Sequence, residues 1–272
     1  LTMPTTYAHY TFGIKVYNLL CSDAKHIIDQ NKSLYLLGLH GPDILFYYKP
    51  LKSNDVANLG RAIHRQTALK FYQKAKEQLE SCPDKEAGIA YLLGFFCHFM
   101  LDSECHPLVR HKTKTEGLAH NKIEREFDRV MMTREGLDPN SHKPTQHLIL
   151  KSGDEKVIAC FYSGITPQQI DKSVKDMKQY LDLLVSPGKT KHTMLKCVLS
   201  LFNPDKGFDG LLMSREPLPE YIKSSEDLAE ILLLAVKPTA RYADILFRCL
   251  NYGASGGRDE EELRQRLNRD FG

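Results

Sequence analysis

The sequence lacks tryptophan and the paired cysteines that are typical of disulfide-rich proteins. Its 272 residues contain no tryptophan, and its seven cysteines include no CxxC pair. An odd number of cysteines without paired spacing argues against a disulfide framework. Because disulfides persist in oxidising compartments, we expect a reducing, cytoplasmic location, with a secreted mature chain as the alternative.

An excess of charge of one sign and a long apolar run are also missing. Lysine and arginine total 37 against 34 acidic residues, a net charge of +3. This balance gives no strong indication of nucleic acid or an anionic membrane surface as a partner. No uninterrupted apolar run reaches the length of a bilayer span, so no transmembrane segment is predicted. Residues 1–6 also lack the basic and apolar stretches of a signal peptide.

Helical periodicity is present through nearly the whole chain, and no strand pattern stands out. The predicted helices are 7–21, 22–38, 54–80, 86–105, 116–133, 142–150, 154–163, 167–186, 224–251 and 258–270. The Pro- and Gly-punctuated region 188–222 is expected to be less regular. We therefore predict an all-α fold in a single domain, 1–272. Its parts are a metal-binding core at 1–133, a helical completion at 134–257 and a charged terminal helix at 258–272.

The segment 86–105 is the most apolar of these helices, which is typical of a helix at the centre of a bundle. Gly94 precedes His98 by one helical turn and is expected to leave room on that face. Pro107 is expected to end the helix, so that His106 lies at or just past its end.

Two pairs of residues at helical spacing carry the chemical information, His98-x3-Asp102 and His120-x3-Glu124. Residues four apart lie on the same face of a helix, so each pair can hold one metal ion. Imidazole nitrogen with carboxylate oxygen is the ligand mixture of catalytic zinc sites. Asp102 lies in an apolar helix, where an unpaired carboxylate is costly and a divalent cation would compensate it.

Further candidates surround these pairs. His106 follows Asp102 by four residues, His64 is flanked by small side chains, His9 lies on an apolar helix face, and Asp43 follows a Gly-Pro turn. Each histidine alone would more often be an ordinary hydrogen-bonded core residue; their combination favours a metal site. His40 beside Asp43 could hydrogen-bond to a metal ligand or belong to the turn chemistry, and we favour the turn. The remaining histidines are interpreted as surface residues: His26, His111, His142, His147 and His192.

The order of these residues resembles the zinc-dependent phospholipase C family, which shares its helical fold with single-strand-specific zinc nucleases. The resemblance runs from His9 to Glu124 and includes Gly41-Pro42-Asp43 and His64. Its specific part is the string His98-x3-Asp102-x3-His106-x13-His120-x3-Glu124. Residues 134–272 match only in being helical.

The resemblance implies zinc as the cofactor and assigns the candidates to three sites. The first would be held by Asp43, His64, His98 and Asp102. The second would be held by His106, His120 and Glu124. The third would be shared by His9, Asp102 and the N-terminal amine and carbonyl. In family members that amine belongs to a tryptophan, which this chain lacks, so we expect two to three ions.

The activity that the resemblance implies is hydrolysis of a phosphodiester, such as a phospholipid, by a metal-activated water with Asp43 as general base. One alternative is a single-strand nuclease of the same fold, and another is a non-catalytic helical protein that binds metal. An HD-type phosphohydrolase ranks lower because the sequence has no adjacent His-Asp pair. A calcium-loop-like pattern from Asp205 to Glu216 has glycine at its third position, and we interpret it as an ordinary turn.

Overall fold

The computed structural model describes residues 5–202, 208–253 and 256–272, and every regular element in these ranges is a helix. The α-helices are α1 (Thr6–Tyr17), α2 (Ser22–Gln30), α3 (Lys32–Gly38), α4 (Asp55–His64), α5 (Ala68–Leu79), α6 (Lys85–Glu116), α7 (His120–Arg134), α8 (Asp154–Cys160), α9 (Pro167–Leu184), α10 (Lys189–Phe202), α11 (Pro219–Asn251) and α12 (Arg258–Leu267). Short 3₁₀ helices span Gly41–Tyr47 and Phe208–Leu211. The predicted all-α class is confirmed.

Helix α6 lies at the centre of the fold and packs chiefly against α3 and α11. Two glycines allow α3 and α6 to touch through their backbones. A Cβ atom at Gly94 would lie 2.2 Å from the carbonyl oxygen of Tyr35, and one at Gly38 would lie 2.3 Å from that of Tyr91. The space expected beside His98 is therefore filled by the backbone of α3.

The prediction that Pro107 ends the central helix was wrong, because α6 continues to Glu116. Proline has no N–H, so it cannot donate to the carbonyl of the residue four positions earlier, Ser103. The guanidinium of Arg269 donates to that carbonyl instead, at 2.8 Å. His106 consequently lies inside a continuous helix, on the same face as Asp102.

Two predicted helices are each divided in the structure. The segment 22–38 breaks at Asn31, whose backbone leaves the helical region at φ −121° and ψ 35°. The segment 54–80 breaks before Thr67, whose extended backbone begins α5. The second break is important for the site because it ends α4 at His64.

Three other predictions about regular structure need correction. Residues 142–150 form turns rather than a helix, since Pro144 restricts the residue before it and the hydroxyl of Thr145 donates to Asp182 of α9. Region 188–222 contains α10. Helix α11 begins at Pro219 rather than at the predicted residue 224, since proline suits the first helical turn.

Two further sequence expectations concern cysteines and the calcium-like pattern. All seven cysteines are free thiols. Positions 205 and 207 of the calcium-like pattern lie outside the described residues. None of the helices in the described part of the chain combines the length and apolarity needed to cross a bilayer.

Candidate metal centre

The centre is built on one face of α6, where His98 and Asp102 are one turn apart. Both side chains are buried, and His98 Nε2 lies 3.2 Å from Asp102 Oδ2. Neither ring nitrogen of His98 has a hydrogen-bond partner. Buried nitrogen atoms without a partner are rare in folded proteins. A cation between His98 Nε2 and the carboxylate would satisfy that nitrogen and the carboxylate charge.

Asp102 is the common neighbour of four histidines. Its Oδ1 lies 3.1 Å from His9 Nε2 and 3.8 Å from His106 Nε2, and its Oδ2 lies 3.9 Å from His64 Nε2. Burial by itself raises the pKa of this carboxyl group. The charges of His98 and His106 and the hydrogen bond from His9 outweigh burial and hold the pKa well below its usual range. Asp102 is therefore an anion at the middle of the centre.

Helix α1 brings His9 into contact with α6. The carboxylate of Asp128, on α7, accepts hydrogen bonds from the backbone N–H groups of Tyr7 and Ala8 at 3.2 and 2.9 Å. An anion at a helix N-terminus binds the unpaired N–H groups and interacts favourably with the helix dipole. This contact holds the first turn of α1, so that the His9 ring stacks on His98 with 4.5 Å between ring centroids. The N-terminal amine lies outside the described residues.

The 3₁₀ helix Gly41–Tyr47 and the end of α4 contribute Asp43 and His64. His64 Nδ1 lies 2.8 Å from the carbonyl oxygen of Gly60, so it donates there and leaves Nε2 facing Asp43 Oδ1 at 3.0 Å. Gly41 has φ +45°, and a Cβ at this position would lie 2.4 Å from His98 Cδ2. Glycine allows the chain to pass the imidazole and deliver Asp43 to the centre.

A second part of the centre lies where α6 meets α7. Glu124 Oε1 is 3.0 Å from His120 Nε2 and 3.5 Å from His106 Nε2. Burial raises the pKa of Glu124, but hydrogen bonds from both histidines lower it to about 2. Burial lowers the pKa of His106, but the charge of Asp102 and the hydrogen bond to Glu124 raise it to about 10. Without metal, this part of the centre is held by ion pairs.

All eight predicted site residues are brought together in the fold. They form three groups in which the candidate ligand atoms lie within 4.8 Å of one another. The groups are His9, His98 and Asp102; Asp43, His64 and His98; and His106, His120 and Glu124. Their donor chemistry fits zinc, because nitrogen and carboxylate oxygen converge and both His98 Nε2 and Glu124 Oε2 are buried without partners. Their role as ligands stays a prediction.

A cavity of about 400 Å³ opens onto the centre. The residues that line it are Asp43, Phe46, Arg61, His64, Arg65, Asp102, His106, Arg110, His120, Glu124 and Gly272. Sequence reasoning missed its three arginines. Arg110 could have been found because it follows His106 by four residues on the same helix face, and Arg61 because it precedes His64 by three.

The end of the described chain also reaches the centre, which no local sequence pattern indicated. The Phe271 ring is fully buried, with its centroid 5.1 Å from that of His64 and 5.2 Å from that of Phe99. Its carbonyl oxygen lies 2.8 Å from His106 Nδ1 and accepts a hydrogen bond from it. This bond places the proton on Nδ1 and leaves Nε2 facing Glu124.

The interpretation of His147 as a surface residue needs correction, because its side chain pairs with that of His40. His40 is fully buried, and its Nε2 lies 2.6 Å from His147 Nε2. The His147 ring also stacks on Tyr10 at 4.3 Å. Burial lowers the pKa of both histidines, so the pair is neutral and one ring donates to the other. The side chain of His40 is therefore part of the core, while its backbone lies in the turn and its carbonyl oxygen accepts a hydrogen bond from the Asp43 N–H at 3.0 Å, as expected. His142, His147 and His192 were expected at the surface, but all three are half-buried.

The sequence pattern of the family described as zinc dependent phospholipase C matches residues 8–177, and the chain belongs to this family. The matched range contains all eight residues of the centre. It also extends past residue 133, where we expected only general helicity to be shared. No curated protein and no solved structure matches the chain. Family membership and the three residue groups together support a metal-dependent hydrolase.

Proposed function

We propose that the protein hydrolyses a phosphodiester, most simply a phospholipid, in the manner of a zinc-dependent phospholipase C. The observation that carries this proposal is Asp102, a buried carboxylate with four imidazoles around it, beside a His98 ring without a hydrogen-bond partner. The proposed zinc ligands are His9, Asp43, His64, His98, Asp102, His106, His120 and Glu124. Bound zinc would withdraw charge from the phosphate oxygens and lower the pKa of a coordinated water toward about 7.

Asp43 is the proposed general base. Its side chain is buried, and its Oδ1 is held 3.0 Å from His64 Nε2, while its Oδ2 is 3.9 Å from His98 Nε2. In this position it would accept a proton from the attacking water. The water oxygen forms a bond to phosphorus as the bond from phosphorus to the leaving alkoxide breaks. The proton ends on that alkoxide, so the products are an alcohol and a phosphomonoester.

The cavity favours a small phosphodiester over a polynucleotide. Its volume of about 400 Å³ lies within the ordinary range of small-molecule sites. Proteins that bind single strands present several aromatic side chains on which successive bases stack. Among the described residues that line the cavity, Phe46 is the single aromatic besides the histidines.

Metal content and turnover together test the proposal. Protein purified after zinc-replete growth would be assayed for zinc and for hydrolysis of dihexanoyl phospholipids, bis(p-nitrophenyl) phosphate and single-stranded DNA, with and without a chelator. We expect at least one zinc per chain and phosphodiester turnover that the chelator abolishes. Less than one zinc per chain would contradict the metal assignment. Full zinc content without turnover would indicate a non-catalytic metal protein, and preferred cleavage of DNA a nuclease.

Asp102→Asn is the sharpest variant because it keeps the shape of the side chain and removes its charge. We expect turnover to fall by about 100-fold or more, since even residues that only support a metal ligand contribute about 10–100-fold. Zinc content should fall with turnover. Asp171→Asn is the matched control, because Asp171 pairs with Lys175 on the outer face of α9. Unchanged zinc content in Asp102→Asn would remove the bridging role assigned to this residue.

A further inference from the structure

The cavity above the metal centre carries three arginines from two helices. Arg61 and Arg65 lie at the end of α4, and Arg110 lies on α6, one turn beyond His106. The side chains of the described residues that line the cavity include three carboxylates, those of Asp43, Asp102 and Glu124. All three belong to the proposed zinc ligands. With cations bound there, the arginines are the charges that remain to face a substrate.

These arginines are not neutralised by neighbours within the described part of the chain. Arg65 and Arg110 are exposed and form no ion pair or side-chain hydrogen bond with a described residue. Arg61 donates to the neutral side-chain oxygen of Asn58 at 3.0 Å. Because the whole chain carries only +3, three guanidinium groups at one cavity without an acidic partner among the described residues are a local feature rather than a result of general basicity.

The same lining is unsuited to a quaternary ammonium head group. Such groups are bound by cages of aromatic faces or by free carboxylates. Phe46 is the one phenyl ring in the described lining. It already stacks on His64 with 5.3 Å between centroids, and Arg61 Cζ lies 5.9 Å from its centroid. A cationic head group would meet the arginines without a compensating anion.

We propose that Arg65 and Arg110, with Arg61 beside Phe46, bind a second negative charge on the head group of the substrate. The preferred substrate is then a phosphodiester whose head group carries a carboxylate or a further phosphate. Guanidinium groups suit this task because they bind either anion through two parallel hydrogen bonds. This inference rests on the proposed function of the centre and specifies its substrate class.

The inference can be tested by comparing two lipids that share the same acyl chains and differ only in their head group. Zinc-loaded protein would be assayed with dihexanoyl phosphatidylserine and dihexanoyl phosphatidylcholine below their micelle concentrations. We expect a serine-over-choline preference in kcat/KM. Arg65→Gln and Arg110→Gln should each reduce that preference by about tenfold, the size expected for one lost charge-assisted hydrogen bond. Arg65→Lys and Arg110→Lys should retain part of it. Arg134→Gln, an exposed arginine on α7 outside the cavity, should leave the preference unchanged.

The inference can also be tested without turnover, by measuring how tightly the isolated head-group compounds bind. In calorimetry, glycerophosphoserine should bind more tightly than glycerophosphocholine, and added salt should weaken the difference. Turnover of glycerophosphoserine as fast as the lipid would identify a soluble phosphodiester as the source of the same head group. Equal binding of both compounds, or an undiminished serine preference in the glutamine variants, would overturn the inference. If the protein hydrolyses none of the phosphodiesters, bis(p-nitrophenyl) phosphate included, it is the proposed function that fails.

Discussion

At the scale of single residues, the acidic side chains and the histidines of the centre lie close enough to shift each other's pKa values. Burial alone would favour the neutral form of every one of these groups. The proximity of opposite charges reverses this for His106, whose pKa rises to about 10, and for Glu124, whose pKa falls to about 2. At His98, burial outweighs the charges of Asp102 and Asp43 and lowers the pKa to about 4. His98 is therefore neutral at physiological pH, as its proposed role as a metal ligand requires, whereas His106 would have to lose a proton before it could bind a metal.

The metal-free protein should show a characteristic dependence of stability on pH. The raised pKa of His106 gives stability that is fully present below its ordinary value of 6.5 and lost as pH rises through about 10. The lowered pKa of Glu124 gives stability present above its ordinary value of 4.5 and lost as pH falls through about 2. The lowered pKa of His98 gives stability that is fully present above its ordinary value of 6.5 and lost as pH falls through about 4. Urea unfolding in a chelator should therefore show maximum stability near pH 6.5, with a decline on either side.

Zinc should change the alkaline side of this profile. A zinc ligand must be a neutral imidazole, so saturating zinc should make stability rise with pH where the metal-free protein loses it. His106→Gln in the chelator should flatten the alkaline decline. A metal-free protein whose stability is constant from neutral pH to pH about 10 would contradict the ion pair that we assign to His106.

At the scale of elements, helix α6 depends on a segment far away in sequence. Pro107 removes one backbone donor from the helix, and Arg269 replaces it at Ser103. The same guanidinium donates to Glu104 at 3.1 Å, and the ring of Phe271 packs beneath His98 with 6.0 Å between centroids. The segment that follows α12 therefore supports both the central helix and the imidazoles that project from it.

A double-mutant cycle between Pro107 and Arg269 tests this dependence. Arg269→Ala should lower the free energy of unfolding by about 1–2 kcal/mol, because it leaves the Ser103 carbonyl without its charged donor. In a Pro107→Ala background the restored N–H can donate to Ser103, so the loss should be smaller by about 0.5 kcal/mol or more. Chemical denaturation of the four proteins measures both values. Arg264→Ala, an exposed arginine on α12, is the control, and strict additivity would contradict the compensation.

At the scale of the whole molecule, three carboxylates and five imidazoles from four α-helices and a 3₁₀ helix meet at one buried centre. The cluster therefore also connects these helices to one another, in addition to forming a candidate metal site. Without metal it is held by a few ion pairs and leaves the Nε2 of His98 without a partner. Occupancy by cations should therefore stabilise the assembled helices together.

Removal of metal should lower the melting temperature of the whole protein in one cooperative transition. A ligand present at about 100 times its Kd stabilises by about 2.7 kcal/mol. For a chain of this size that corresponds to roughly 5–10 °C. Calorimetry before and after chelation, followed by readdition of zinc, measures the change and its reversal. Asp102→Asn should respond much less to either treatment. Identical melting of the treated and untreated wild-type protein would argue against any structural contribution from metal.

Sequence reasoning succeeded where the information is local. Spacing by four placed His98 with Asp102 and His120 with Glu124, because the geometry of a helix fixes that relation whatever surrounds it. It failed at Pro107, where the compensating donor is Arg269, and at His147, whose partner is His40. In both cases the deciding contact joins residues more than 100 positions apart, and no periodicity reports such a contact.

The amino-acid sequence by itself determined the helical class, the family and the set of eight polar residues, since each depends on residue types and short-range spacing. Tertiary structure decided how these residues meet. It gave Asp102 its four imidazole neighbours, anchored α1 on Asp128, and set the arginines of α4 and α6 around one cavity. The physical reason is that distances between helices follow from packing of the whole core, to which residues throughout the chain contribute.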